Sequence, residues 1–402
     1  EEKVGIWRKR PRINSNKLEQ VQKFVFNSGA NGVSGAFAYM RSDVHPNQIS
    51  LFDALKDRGV TGTRERERER VKGQVHNTFQ DIISVENLLA AWQEFLRGKR
   101  KRKDVADFSL HLLDNITALH NELVNKTYRH GGYQAFKIND PKPRDIHKAL
   151  VRDRLLHHAI YRVLYPYFER KFIFDSYSCR FDKGTHRAMN RLCSFARKVS
   201  KNHTRTVWIL KCGIREFFAN IDHNILIEIM QRHITDQNII WLLRQVVGSF
   251  DSKNKPGVGL PLGNLTSQLL VNIYMNVFDQ FVKRKLMAIH YIRFADDFIF
   301  LHQDQNYLER LLLQIATFLE ARLRLALHPV KVSIATIASG VDFLGWVHFP
   351  HHRVLRASSK RRMLKNVNQG VSKESLASYL GLLGHGNTNK LRQRVVTIVQ
   401  GL

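Results

Sequence analysis

Two adjacent carboxylates, Asp296 and Asp297, interrupt an otherwise apolar stretch. Tyr291, Ile292 and Phe294 precede them, and Phe298, Ile299, Phe300 and Leu301 follow. Short runs rich in aromatic and β-branched residues predict two strands of a hairpin with the acids at its turn. Neighbouring carboxylates repel, and apolar surroundings raise the cost of charging them unless cations lie between them. A pair of Mg2+ ions roughly 3.5–4 Å apart is the usual remedy, and such a pair performs in-line phosphoryl displacement. A solvated Asp-Asp turn is the plain alternative, and the rest of the chain decides between the two.

The chain has 402 residues, with 64 Lys and Arg against 35 Asp and Glu and a formal charge of +29. Such an excess favours a polyanionic partner, because each neutralised phosphate releases counterions. No apolar run approaches the roughly 18–20 residues of a transmembrane span, so no membrane is expected among the partners. Cys179, Cys193 and Cys212 offer neither a disulfide framework nor metal-ligand spacing, and a reduced, cytoplasmic setting is expected. Glu1 opens the chain without a secretory h-region, which fits a fragment or a processed product.

The elements that must carry the carboxylates follow from periodicity. Residues 1–75 have weak periodicity and an alternating Arg-Glu run from Arg64 to Arg70, the pattern of a solvated helix or disordered tether, and no chemistry is assigned to them. Order is expected from Ser84, an N-cap for a helix carrying Val85, Leu88, Leu89, Trp92 and Phe95. A second helix spans Phe108 to Leu123, a strand Tyr133 to Ile138, and a helix from about Leu150 to Tyr165, where Pro166 should end it. Val207–Leu210 reads as a core strand ending at Lys211-Cys212-Gly213. Leu269, Leu270, Ile273, Tyr274, Val277, Phe278, Phe281 and Val282 mark a strongly amphipathic helix just before the Asp-Asp hairpin. A helix from Tyr307 to Leu323, a strand near Val341–Leu344 and a basic helical tail from Ser358 follow. Strands and helices mix without βαβ regularity, which predicts an α+β fold. His157, His158, His348, His351 and His352 show no ligand geometry and read as surface or packing residues, the last three on a loop.

Six blocks now stand in one order: Lys142-Pro143-Arg144 with Arg152-Asp153-Arg154; Asp175-Ser176-Tyr177 with Lys183-Gly184; Phe217-Phe218-Ala219-Asn220-Ile221-Asp222; Gly259-Leu260-Pro261-Leu262-Gly263 with Ser267-Gln268; Phe294-Ala295-Asp296-Asp297; and Val341-Asp342-Phe343-Leu344-Gly345. Their order resembles bacterial retroelement reverse transcriptases over roughly residues 84 to 400. The resemblance implies a right-hand polymerase fold, with fingers and palm over 76–346 and a helical thumb over 347–402. It implies RNA-directed DNA synthesis with two Mg2+ ions, for which Mn2+ substitutes, held by Asp296 and Asp297. It also implies an RNA template, a DNA or RNA primer, deoxynucleoside triphosphates and a small basic accessory protein as partners.

Leu262 before Gly263, with Gln268 after Ser267, is similar to the form found in diversity-generating retroelement enzymes and in some defence-associated groups. In the former, an aliphatic residue at the Leu262 position accompanies error-prone copying of template adenines. No maturase or endonuclease extension follows the tail, which directs the expectation away from group II intron proteins. By resemblance, Lys142 and Arg144 receive the triphosphate, Phe218 crowds a ribose 2′-OH, Leu262 and Gly263 lie beside the incoming nucleotide, Ser267 and Gln268 meet template or nucleotide, and Lys331 assists the leaving pyrophosphate.

One position departs from that pattern. Where the family places an aspartate bridging both metal ions, at the end of the Val207–Cys212 strand, this chain has Gly213. Even partners behind the direct ligands are worth about 10–100-fold, so a bridging carboxylate should be worth more. Glu216 and Asp222 lie beyond the strand end and are not expected to replace it. An inactivating substitution, a pseudo-polymerase that binds RNA without copying it, and a metal site of altered geometry remain open alternatives.

Overall fold

The computed structural model describes residues 78–138, 143–252 and 255–400; the expectations for residues 1–75 and for Lys142 lie outside them. Thr78 opens the described chain with a capping box, its hydroxyl accepting from the Asp81 N–H while the Asp81 carboxylate accepts from the Thr78 N–H. Helix α1 (Phe79–Ile83) buries Phe79, Ile82 and Ile83. Ser84 then caps α2 (Val85–Phe95), accepting from the Asn87 N–H at 3.2 Å. A helix therefore precedes Ser84 that periodicity does not mark, because five residues are too short to show a period.

The single helix expected between Phe108 and Leu123 is two, α3 (Lys103–Leu110) and α4 (Leu112–Val124), broken at His111. The break turns Leu110 and Leu113 outward, 79% and 69% exposed, while Ile116, Leu119 and Leu123 stay in the core. Strands β1 (Tyr133–Ile138) and β2 (Arg144–Ala149) form an antiparallel ribbon. Helix α5 (Val151–Glu169) runs through Pro166 instead of ending at Tyr165. An interior proline costs about 3 kcal/mol, but the extra turn buries Phe168, a gain of roughly 1.5–3 kcal/mol. That turn also places the Tyr167 hydroxyl 3.1 Å from His233 Nδ1.

The centre follows as α6 (Thr185–Val199), β3 (Trp208–Gly213), α7 (His223–Gln231), α8 (Gln237–Val247), α9 (Leu265–Arg284), β4 (Tyr291–Phe294), β5 (Asp297–His302), α10 (Gln305–Leu323) and β6 (Ser333–Thr336). Its four strands pair antiparallel in the order β4-β5-β3-β6. Side chains alternate across this sheet with period two. Leu210, Cys212, Phe298 and Phe300 face the core of α9 and α10, and Ile209, Ile292, Ile299 and Leu301 face Ala188, Leu192 and Phe195 of α6. Both faces are covered, which makes the sheet a rigid floor for whatever its strand ends carry.

A meander of β7 (Val341–Phe343), β8 (Trp346–His348) and β9 (Arg353–Leu355) leads to α11 (Ala357–Asn368), α12 (Lys373–Leu383) and α13 (Asn389–Gln400). These helices share a separate cluster of Met363, Val367, Leu383 and Val395 with Trp346 and Leu355. His348 is buried at the end of β8 and does not lie on a loop, because period two sends it inward with Trp346. Helices and antiparallel sheets without βαβ repeats make the fold α+β. No helix among the described residues is long and apolar enough to cross a membrane.

Candidate active site

Pairing of Phe294 with Asp297 closes the β4–β5 hairpin around Ala295 and Asp296. Ala295 takes a left-handed backbone, φ +55°, a conformation that disfavours residues with a Cβ. What holds it is Arg293, fully buried beneath the turn. One guanidinium nitrogen donates to the Ala295 carbonyl at 3.2 Å and to Asn272 Oδ1 at 3.3 Å. The fork Nε and Nη2 grips Asp279 of α9 at 2.8 and 2.6 Å, and Nη2 also reaches Ser176 Oγ at 3.1 Å. Tyr291 donates its hydroxyl to Asp279 Oδ1 at 2.8 Å, and Asn272 donates to the Ser178 carbonyl at 3.0 Å. A buried charge pair is tolerated when its remaining donors and acceptors are matched, and here they tie the hairpin, α9 and the Ser176–Ser178 segment together. Sequence reasoning missed this network. Its signal was an arginine inside the apolar run Tyr291–Phe294 and an aspartate on the apolar helix α9.

Next to the hairpin, β3 pairs with β5 so that Cys212 lies opposite Phe298 and Gly213 opposite Asp297. The Ile214 N–H donates to the Asp296 carbonyl at 3.1 Å, bonding the end of β3 directly to the turn. The Gly213 carbonyl accepts from the His328 N–H at 2.7 Å, which draws in the short turn Pro329–Lys331. Lys331 then extends its ammonium to 3.4 Å from Asp296 Oδ2 and 3.7 Å from Asp297 Oδ1. Asp297 Oδ1 is buried and accepts no hydrogen bond among the described residues. Burial, reinforced by the charge of Asp297 and opposed by Lys331, pushes the Asp296 carboxyl up to about 7.

The remaining residues frame this centre. Arg144, buried at the start of β2, has its pKa lowered by burial, an effect that the charge of Asp296 opposes. The loop before α9 rests on the same strand: the His147 N–H donates to the Leu262 carbonyl at 3.0 Å and Asn264 Nδ2 donates to the His147 carbonyl at 3.1 Å. Gly263 has φ +111°, and a Cβ there would stand 2.9 Å from Ile146 Cγ2, so a side chain is excluded twice over. Leu262 is half-buried; Ser267 is buried and Gln268 half-buried in the first turns of α9. Phe218 lies in the short turn Phe217–Asn220 beyond β3, half-buried, and its carbonyl accepts from the Leu260 N–H at 2.8 Å.

The structure thus brings Asp296, Asp297, Lys331 and Gly213 together, with Arg144 in electrostatic reach. Asp222 is engaged elsewhere, capping α7 through the Ile225 N–H and pairing with Arg324 at 2.7 Å. Asp296 and Asp297 are two adjacent carboxylates, and Gly213, the register partner of Asp297, adds no side chain to them. Both nearby carbonyls, of Gly213 and Asp296, already accept backbone N–H groups, and an ammonium lies against both carboxylates. Among the described residues no group of three or more His, Cys, Asp or Glu could hold a metal ion. This donor set does not fit a two-metal clamp.

The pattern of the family described as reverse transcriptase (RNA-dependent DNA polymerase) matches residues 138–348, more than half of the 402-residue chain. The chain belongs to the reverse transcriptase family. The match includes Arg144, Gly213, the Asp-Asp hairpin and Lys331, and the family's reaction is RNA-directed DNA synthesis. Accordingly the α+β fold is that of a right-hand polymerase. Among relatives, Protein YkfC of Escherichia coli (strain K12) is 24% identical over 275 residues, covering 58% of this chain and 69% of YkfC. The group II intron-encoded protein LtrA of Lactococcus lactis subsp. cremoris is 27% identical over 150 residues, covering 36% of this chain and 24% of LtrA. Among solved structures, apo telomerase from Candida Tropicalis is similar over 71% of this chain and 61% of that one, at 12% identity and a TM-score of 0.46.

Proposed function

We propose that this chain is the template-copying module of a bacterial or phage-encoded retroelement, able to hold an RNA template and primer but poor at DNA synthesis because of Gly213. The observation that carries this reading is the register pair of Gly213 with Asp297, which puts a residue without a side chain opposite the carboxylates. On this reading Arg144, together with Lys142, receives the triphosphate of a deoxynucleotide, and Phe218 excludes ribonucleotides by crowding the 2′-OH. Ser267 and Gln268 meet template or nucleotide. Leu262, which offers the incoming base no polar guidance, supports error-prone copying of the diversity-generating kind. Residues 76–346 act as fingers and palm and residues 347–402 as thumb, working in the cytoplasm with a small basic accessory protein. Mg2+, or Mn2+ in its place, belongs to the site once a carboxylate is restored at 213.

A second reading has its own observation. Lys331 already compensates the carboxylates, which suits a scaffold that binds RNA without copying it. Both readings require nucleic-acid binding, and its salt dependence tests them together. With 6–10 phosphate contacts, affinity for an RNA template–DNA primer duplex should fall about 10^3–10^5-fold between 50 and 200 mM salt. Salt-insensitive binding, or none at 50 mM, would remove the basis of both.

A further inference from the structure

A Cβ built on Gly213 would stand 2.6 Å from Lys331 Cδ and 3.3 Å from Lys331 Cβ. The lysine stem therefore crosses the space that any larger residue at 213 would fill. Backbone bonds anchor its base: the His328 N–H donates to the Gly213 carbonyl at 2.7 Å, and the Lys331 N–H donates to the His328 carbonyl at 3.0 Å. From this anchor the ammonium reaches both carboxylates, with the lysine side chain 18% exposed. Gly213 and Lys331 act as a pair. The glycine opens a path, and the lysine uses it to approach the two aspartates.

We infer that Lys331 is the built-in counter-ion of Asp296 and Asp297 in this chain, holding the place of a divalent cation and opposing its binding. The inference deepens the proposed reading of the Asp-Asp pair as a phosphoryl-transfer site, and rests on it. Two adjacent carboxylates in a buried turn need compensating positive charge. An ammonium satisfies that need without a metal, and any dication reaching the same oxygens would have to displace it or tolerate its repulsion at close range. Gly213 thus removes a ligand and also admits a competitor for the ligands that remain.

The test measures Mn2+ alone binding to the full chain by electron paramagnetic resonance, in the unaltered protein and in Lys331→Met. Methionine keeps the length of the stem and removes the charge. Lys331→Met should tighten Mn2+ binding at least tenfold, and adding Asp296→Asn should abolish the gain, which locates the ion. Lys331→Arg, which keeps the charge, should leave Mn2+ affinity unchanged, and Lys331→Gln serves as a second neutral variant if methionine disturbs folding. Equal affinity in the unaltered, neutral and arginine forms would overturn the inference. RNA binding, measured on the same samples, separates the two ideas. Retained RNA binding with no gain in Mn2+ affinity overturns the counter-ion alone, whereas loss of RNA binding in the unaltered chain overturns the reading beneath it.

Discussion

Gly213 on β3 is the register partner of Asp297 on β5, so a side chain at 213 would begin 3.1 Å from Asp297 Oδ1. Antiparallel pairing alone produces this approach. Each residue of β3 from Trp208 onward is paired with one of β5, and the last pair falls at the hairpin that carries both carboxylates. On the proposed reading, what the pair does turns on the carboxylate that position 213 lacks.

That floor depends on the Arg293–Asp279 pair. Asp279→Ala leaves a buried guanidinium without its main partner and should cost about 3–5 kcal/mol in urea unfolding. Arg293→Met with Asp279→Leu removes both charges and should cost clearly less than the single change. A double variant as unstable as Asp279→Ala would show that the pair stabilises the fold in its own right.

The N-terminal boundary makes a second prediction. A chain beginning at Thr78 should keep the melting transition of the palm. One beginning at Val85 also loses Phe79, Ile82 and Ile83, three buried side chains, together with the bond from the Phe79 N–H to Asp236 Oδ2 at 2.8 Å. At roughly 1.5–3 kcal/mol for each buried side chain, the loss is on the order of 5 kcal/mol. Equal stability of the two truncations, read by urea midpoint, would contradict the role given to α1.

Acid should destabilise the protein through buried histidines. Burial lowers His158 and His348 to about 4 and drives His157 well below its usual value, a shift that the neighbouring His130 reinforces. Their folded pKa values lie below the unfolded value of about 6.5, so the unfolded chain binds more protons between these limits. Stability should therefore fall as pH drops from about 6.5 to about 4, by on the order of 3 kcal/mol for the buried His348. His348→Gln should shrink the difference between urea midpoints at pH 7 and pH 4.5; an unchanged difference would exclude His348 from this effect.

Legibility in the sequence followed local pattern. The β4–β5 hairpin and the amphipathic helix α9 were readable because period two and period 3.6 persist over enough residues. Gly213 was noticeable because it breaks a recurring block, and its pairing with Asp297 follows once β3 and β5 are neighbours. Features set by tertiary context were not readable. Pro166 should have ended α5, yet the helix continues past it to Glu169, and the added turn buries Phe168. Leu110 and Leu113 fit an apolar face until His111 breaks the helix and turns them outward. The partners of Arg293 come from α9 and the Ser176 segment, and no spacing announces them. The stem of Lys331 over Gly213 depends on a turn bonded to the end of β3, which residue types alone do not reveal.

The most direct measurement is primer extension on an RNA template by Gly213→Asp beside the unaltered chain, with Mg2+ or Mn2+ supplied. Aspartate at 213 would add the third carboxylate and require the Lys331 stem, whose Cδ lies 2.6 Å from the new Cβ, to swing aside. Extension should rise more than 100-fold, beyond the roughly 10–100-fold worth of partners behind the direct metal ligands. Adding Asp296→Asn to Gly213→Asp should return extension to background and exclude a contaminating polymerase. Efficient extension by the unaltered chain, with no gain from the aspartate, would contradict the claim that Gly213 disables this site.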